Sequence, residues 1–416
     1  MIFLIQSLLL RFRHKVFKKY KIMNILVINS GSSSIKFQLI EMPSEVLVCK
    51  GMVERIGYED ALLNYKSNSI TIQHTENIST HKEALLRIVE LLVDPESGVI
   101  QNTDDVKIVG HRVVHGGNSF SNTTLITAEV KNEIKEFAVL APLHNPNNLE
   151  GILVSEQLFP LAKQVAVFDT AFHQSIPGKA KRYAIPNRLY KEERIQVYGF
   201  HGTSHKYVSE KAIEYLQLGK SKIITIHLGN GCSMTAVVDG KSIDHSLGFA
   251  PSNGLIMGSR SGDIDHSMIF YLVNNLGYSL DEVNNLLTKE SGMLGLTGYS
   301  DLRDIEAEAE NENTDCILAL TMNAYRIKKY IGAYIAAMDG LDAIVFTAGI
   351  GENSSMMRKL TCTEMNFFGI KLDNTKNEEK SKDLRVINTS DSEVKILVIP
   401  TNEELEIAKQ AFNLVN

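Results

Sequence analysis

From Met23 onward, short apolar runs rich in Val, Ile and Leu alternate with longer stretches in which apolar residues recur at helical spacing. The runs at residues 24–29, 35–40, 107–111, 164–168, 222–227, 234–239, 343–346 and 395–399 predict strands, because near-continuous hydrophobicity marks a strand buried on both faces. The i, i+3, i+4 recurrence predicts helices at residues 81–92, 147–158, 204–216, 280–288, 315–338 and 403–413. Strands alternating with helices in this way indicate an α/β protein. No low-complexity linker divides the chain, so a domain boundary must fall at a compact crossover.

One pattern occurs twice. Residues 25–41 (ILVINSGSSSIKFQLIE) and residues 223–239 (IITIHLGNGCSMTAVVD) share a layout of apolar strand, turn of Gly, Ser and Asn, and second strand, with Gly31 opposite Gly229. One such unit in each half suggests two related domains facing a cleft, although any two hairpins share this much over so few residues.

Composition narrows the class. The 416 residues are 44% hydrophobic and 22% charged, enough for two domains with real cores. The net charge is −6, but residues 1–22 carry six Lys or Arg and no acid, leaving the chain from Met23 near −12. An acidic body argues against nucleic acid as a partner. Cys49, Cys232, Cys316 and Cys362 are scattered without a C-x-x-C pair, which fits a reduced, cytoplasmic compartment. In residues 1–22 an apolar run at 2–10 precedes the basic residues, the reverse of a secretory signal, and it is too short to span a bilayer. It reads either as a weak interfacial anchor or, as we expect, as an upstream extension before a true start at Met23.

The chemistry lies in the loops. The chain has no G-x-x-x-x-G-K-[ST], no H-E-x-x-H and no G-x-S-x-G. It has three glycine-rich turns directly after apolar strands: NSGSSSIK, HLGNG and TAGIGENS. Such turns bring backbone N–H groups close to phosphate oxygens. Arg112 in GHRVVHGG and Arg260 in MGSRSGDIDHS sit among small residues, where binding of carboxylate or phosphate explains an arginine better than packing does. His144 (APLHNPN) and His201 (YGFHGTSH) stand where Pro or Gly fixes the backbone. Asp169 follows an apolar strand, a usual position for an active-site carboxylate in α/β folds. Glu403 and Glu404 open the last helix, where a dipole-stabilised N-terminal charge is the commoner explanation.

Together NILVINSGSSSIKFQL, GHRVVHGG, APLHNPNNLEGI, VAVFDTAFHQSIP, YGFHGTSHKYV, HLGNGCSMTAVVDGKSIDHSLG, MGSRSGDID, DLRDIE, FTAGIGENS and IPTNEE resemble the acetate kinase family, in family order from Met23 to the C-terminus. The resemblance implies two duplicated actin-like (ribonuclease H-like) domains around a central cleft: residues 23–172 with 404–416, and residues 173–403. It implies a cytoplasmic homodimer that moves a phosphoryl group between ATP and acetate, giving ADP and acetyl phosphate, with Mg2+ (or Mn2+) and neither nucleic acid nor membrane as partner. Asn29 and Glu403 match the metal positions. Ser32, Ser34 and Lys36 match the first phosphate loop, and His227, Leu228, Gly229, Asn230 and Gly231 the second. Asp301, Leu302 and Arg303, then Gly349, Ile350, Gly351, Glu352 and Asn353, match the remaining ATP segments. Arg112 matches the substrate-anion site, Asp169 the essential acid, and His144, His201 and Arg260 the groups at the transferring phosphoryl. Val114, Leu143, Phe200 and Pro251 match the methyl pocket. Propionate kinase shares this chemistry, and a non-catalytic actin-like nucleotide-binding protein is the alternative from another class.

Overall fold

The computed structural model describes residues 21–142 and 144–416. The apolar run at residues 2–10, most of the basic stretch after it, and Leu143 lie outside the described residues.

Two sheets carry the fold. The first comprises β1 (Met23–Ser30), β2 (Ser34–Met42), β3 (Val46–Glu54), β4 (Tyr58–Ser67), β5 (Thr71–Ile78), β6 (Val106–Val113), β7 (Thr124–Leu125) and β8 (Lys163–Phe168), in the order β5-β4-β3-β2-β1-β6-β8-β7. The second comprises β9 (Lys222–Leu228), β10 (Cys232–Val238), β11 (Lys241–His245), β12 (Ala343–Thr347), β13 (Arg385–Val386) and β14 (Lys395–Val398), in the order β11-β10-β9-β12-β14-β13. Their centres are the same. In each, an antiparallel meander (β3-β2-β1; β11-β10-β9) continues through two parallel strands (β6, β8; β12, β14). The duplication expected from residues 25–41 and 223–239 is therefore one of whole sheet topology, and the fold is α/β of the actin-like kind.

Burial on both faces explains the central strands. Ile25 to Ile28 of β1 and Ile223, Ile224 and Ile226 of β9 are all inaccessible or nearly so. On the first sheet, helix α1 (Glu403–Val415) lays Ile407, Ala408, Ala411 and Phe412 against Ile25, Val27, Ile108 and Val165. Gly110 on β6 permits that approach, since a Cβ there would stand 2.9 Å from Ile407 Cγ2. On the second sheet, helix α2 (Gly202–Leu216) covers one face through Val208 and Ala212. The 25-residue helix α3 (Thr314–Met338) covers the other through Ile327, Ile331 and Tyr334.

The strands expected from apolar runs are present with ends moved by one or two residues. The outer strands β3–β5 and β11 lie beyond those expectations. β5 (TIQHTENI) exposes most of its length, so it carries no apolar run to read. Among the described residues no helix is long and apolar enough to cross a membrane.

Candidate active site

The C-terminal ends of the parallel strands in both sheets and the turns after β1 and β9 converge on one cleft, the usual ligand position in α/β sheets. Arg112, near the end of β6, forms a two-pronged pair with Asp169 just past β8: Nη2 to Oδ2 is 2.5 Å and Nε to Oδ1 is 3.1 Å. Its Nη1 donates to Asn29 Oδ1 at 3.3 Å, and Glu403 Oε2 lies 3.8 Å from Nε. Asp169 is 1% exposed and also accepts from Thr203 Oγ1 at 3.3 Å, while Arg112 stays 20% exposed to the cleft. Burial alone would lower the Arg112 pKa, but Asp169 and Glu403 outweigh it and hold the guanidinium firmly charged.

Across the cleft stands His201, with φ 56° at the start of α2. Its ring stacks on His227 at 4.4 Å and 18°. Burial, with His227, Arg112 and Arg260 adding repulsion, drives its pKa well below the usual histidine value. Arg260 is held by its Nη1 donating to the Pro251 carbonyl at 2.6 Å, and burial lowers its pKa. Gly231 lies between them: a Cβ there would stand 3.4 Å from His201 Nε2 and 3.7 Å from Arg260 Nη2. His144 stands just before helix Asn145–Leu158; desolvation by the surrounding protein and then Arg112 lower its pKa, against a smaller opposing pull from Asp169. Val114 and Phe200 are buried in one apolar cluster.

Two cavities make up the cleft. One of about 240 Å³ is bordered by Asn29, Lys36, Arg112, His201, His227 and Glu403, with Gly229, Asn230 and Gly231. The other, about 630 Å³, is lined by Asp301, Leu302, Arg303, Glu306, Gly349, Ile350 and Asn353, and shares Gly229 and Asn230 with the first. The third glycine turn forms helix Ala348–Asn353, entered through Ala348 at φ 65°. Gly349 faces open space, where an added Cβ would meet nothing within 4 Å. Asp301 caps helix Leu302–Glu310 and pairs with Arg303 Nη2 at 2.6 Å on the surface. Ser32 is exposed on the β1–β2 turn with Ser34 partly covered, and Lys36 reaches Glu404 Oε1 at 2.6 Å.

Of the expected residues, Asn29, Lys36, Arg112, His201, His227, residues 229–231, residues 301–303, Gly349, Ile350, Asn353 and Glu403 border the two cavities. Asp169 joins them through Arg112 and Arg260 through Gly231, and Leu143 lies outside the described residues. Several partners carry no signal in the sequence: Thr203 on Asp169, Ser233 on His201, and Ser204, which bridges His227 Nδ1 and Thr401 Oγ1 at 2.9 Å each. Only the second half of HGTSH, with His205 four residues after His201 on one helix face, offers a visible one.

The donor set suits a hard divalent cation. Asn29 and Glu403 offer oxygen to the smaller cavity, and burial with Asp169 and Glu404 nearby pushes the Glu403 carboxyl up to about 7, so a cation there is favoured. Among the described residues no three His, Cys, Asp or Glu side chains converge on one metal point. Mg2+ needs no such cage, because it is commonly held by one or two carboxylates together with substrate phosphates.

Two sheets of this topology around a cleft of glycine-rich turns and arginines define a phosphotransferase of the actin-like class. The chain belongs to the acetokinase family, whose profile matches residues 24–409. It is 63% identical to an acetate kinase of Flavobacterium johnsoniae over 94% of this chain and 100% of that one. The crystal structure of Porphyromonas gingivalis acetate kinase superposes with TM-score 0.90 at 43% identity, covering 95% of this chain and 100% of that one. A propionate kinase from Francisella tularensis gives 0.89 at 42%, covering 94% and 99%.

Proposed function

We propose that this protein is an acetate kinase, transferring the γ-phosphoryl group of ATP to acetate, reversibly, to give acetyl phosphate and ADP. The observation that carries the reading is the Asp169-paired Arg112 and His201 on one small cavity, with Arg260 beside its Gly231, next to a nucleotide-sized cavity that shares Gly229 and Asn230 with it.

The chemistry needs no strong base, since a carboxylate of pKa roughly 4–5 is already ionised at neutral pH. The task is to bring two anions together in line and to neutralise charge on the equatorial oxygens. In this reading Arg112, aimed by Asp169, grips the acetate carboxylate or the transferring group. Arg260, His201 and His144 donate to the phosphoryl oxygens. Val114, Phe200 and Pro251 are assigned to the methyl pocket, together with Leu143, which lies outside the described residues. Ser32, Ser34 and Lys36, residues 227–231, residues 301–303 and residues 349–353 hold the nucleotide. Asn29 and Glu403 would hold Mg2+, or Mn2+ in its place, which supplies charge neutralisation at the phosphate oxygens. The transfer is direct: a phospho-enzyme isolated after incubation with labelled ATP and competent to phosphorylate acetate would defeat that part. The activity itself is tested by ADP release, which must depend on added acetate; release independent of any carboxylate contradicts the assignment.

The same reading divides the chain into domain I, residues 23–172 with 404–416, and domain II, residues 173–403. The seating of α1 on the first sheet supports that return. Cytoplasmic location is supported by four free, buried cysteines. A homodimer is supported by helix Ser267–Leu276, which buries none of its residues and exposes Met268, Phe270, Tyr271 and Leu276. A monomeric mass by light scattering would exclude it. Propionate remains the second substrate to test, because the Francisella tularensis propionate kinase superposes almost as well.

A further inference from the structure

Behind the cleft lies a ladder of five histidines. Ring centroids are 4.4 Å apart for His201–His227, 6.0 Å for His227–His205, 5.2 Å for His205–His245 and 4.1 Å for His245–His173. Burial first, and mutual repulsion for several, holds all five pKa values low. Each ring is therefore neutral, with one donor and one acceptor nitrogen. Which nitrogen carries the proton is set by the partner of the other.

Counting protons along the ladder favours the direction that leaves the fewest buried hydroxyl protons unpaired. Thr225 Oγ1, fully buried on β9, lies 2.7 Å from His205 Nδ1, its one side-chain partner among the described residues. If the imidazole donated here, the threonine proton would be buried without an acceptor, which is costly. The hydroxyl therefore donates, and the His205 proton sits on Nε2. That nitrogen donates to Ser233 Oγ at 2.7 Å. The single proton of Ser233 is then left for His201 Nδ1 at 2.9 Å. With Nδ1 accepting, His201 carries its proton on Nε2, the nitrogen beside Gly231 in the cleft.

The backbone is fixed by the same ladder. The Phe200 N–H donates to His245 Nε2 at 3.1 Å, and its carbonyl accepts from His173 Nε2 at 3.0 Å. The Nδ1–H of His245 then donates to Thr235 Oγ1 at 2.8 Å, which leaves that buried hydroxyl's own proton without a side-chain acceptor among the described residues, and Ser242 donates to His173 Nδ1 at 2.9 Å. This peptide immediately precedes His201, whose left-handed φ of 56° must be held by its surroundings.

We propose that Thr225, His205 and Ser233 form a hydrogen-bond relay that fixes His201 as the Nε2–H tautomer and so makes it a donor to the transferring phosphoryl group. The three are positioning residues and touch no substrate. The reverse polarity would turn a bare lone pair towards phosphate oxygens. The role of the relay rests on the proposed activity; the tautomer does not.

The test is long-range 1H–15N correlation on the full chain labelled with 15N-histidine, with kinetics of Thr225→Val and Thr225→Ser. The wild-type spectrum must show His201 and His205 protonated at Nε2; protonation of His201 at Nδ1 overturns the relay. Thr225→Val keeps shape and removes the proton source. It should lower kcat by roughly 10–100-fold, the range for partners that orient a functional imidazole, with KM for ATP and acetate within about threefold. Thr225→Ser should restore kcat. Wild-type kcat in Thr225→Val, or a loss that Thr225→Ser does not restore, overturns the proposal. If Thr225→Val does not fold, the wild-type spectrum decides alone. Absence of acetate-dependent turnover would defeat the functional reading and leave the spectrum intact, so the two fail separately.

Discussion

Asp169→Asn is the most informative single change, because it preserves shape and removes only charge and one acceptor. In the native pair the carboxylate accepts from Arg112 Nη2 at 2.5 Å and from Nε at 3.1 Å, with Thr203 at 3.3 Å on the same oxygen as Nε. The amide oxygen can keep the Nε and Thr203 bonds. The amide nitrogen then faces Arg112 Nη2, donor against donor. A hydrogen bond between charged groups contributes about 1.5–3 kcal/mol, and stripping a buried charge of its partner costs about 3–5 kcal/mol. Arg112 is not stranded, however: it is 20% exposed and has Asn29 and Glu403 within reach, so the lower end applies. About 3 kcal/mol expressed in the transition state corresponds to a loss of roughly 100-fold in turnover. Part of it should appear as a raised KM for acetate, as the guanidinium swings towards Glu403. Acyl phosphate formation measured over a range of acetate concentrations gives both constants, and thermal unfolding shows that the variant is folded. A folded Asp169→Asn protein with kcat and KM within about threefold of wild type would refute the claim that Asp169 aims Arg112.

Arg112→Ala and Arg260→Ala should each lose on the order of 10³ or more in turnover, as phosphate-clamping arginines do; near-wild-type turnover in either removes the role given to that residue. Glu403→Gln should raise the Mg2+ concentration needed for half-maximal rate, and chelation should abolish wild-type activity until Mg2+ is restored; activity indifferent to chelator contradicts the metal assignment. Val114→Ala, which deepens the apolar cluster containing Phe200, should shift the acetate-to-propionate ratio of kcat/KM towards propionate by about tenfold, since one methylene is worth about 1–3 kcal/mol. Phe346→Ala, at a fully buried position of β12, should cost about 3–5 kcal/mol of stability in chemical denaturation; a loss below about 1 kcal/mol would show that this sheet does not form the core of its domain.

What the sequence makes legible follows burial. β1, β6, β9 and β12 are covered on both faces by helices, so their apolar runs are visible and their ends fall within two residues of expectation. The hairpin strands β4 and β5 face solvent over much of their length, and YEDALLNYKS and TIQHTENI do not stand out as strands. At the site, Arg112, Asp169, His201 and Arg260 are legible because each is a costly group in a segment that offers it little to pack against. Ser233 and Thr225 are not legible. A serine or threonine within a strand carries no signal until the fold brings His201 and His205 alongside it. Glu404 shows both sides: its place at a helix start is visible, but its pairing with Lys36, 368 positions away in the chain, is not.

The central claim is phosphoryl transfer to acetate, and trapping the product tests it most directly. The chain begun at Met23 is incubated with ATP, Mg2+ and hydroxylamine, with either acetate or propionate as acceptor, and the hydroxamate is measured. The expected result is hydroxamate with a clear preference for acetate. Preference for propionate would keep the fold, the site and the in-line transfer but change the substrate. Hydroxamate from neither acid, in a folded protein that binds ATP, would contradict the claim and leave nucleotide binding without transfer as the activity of this cleft.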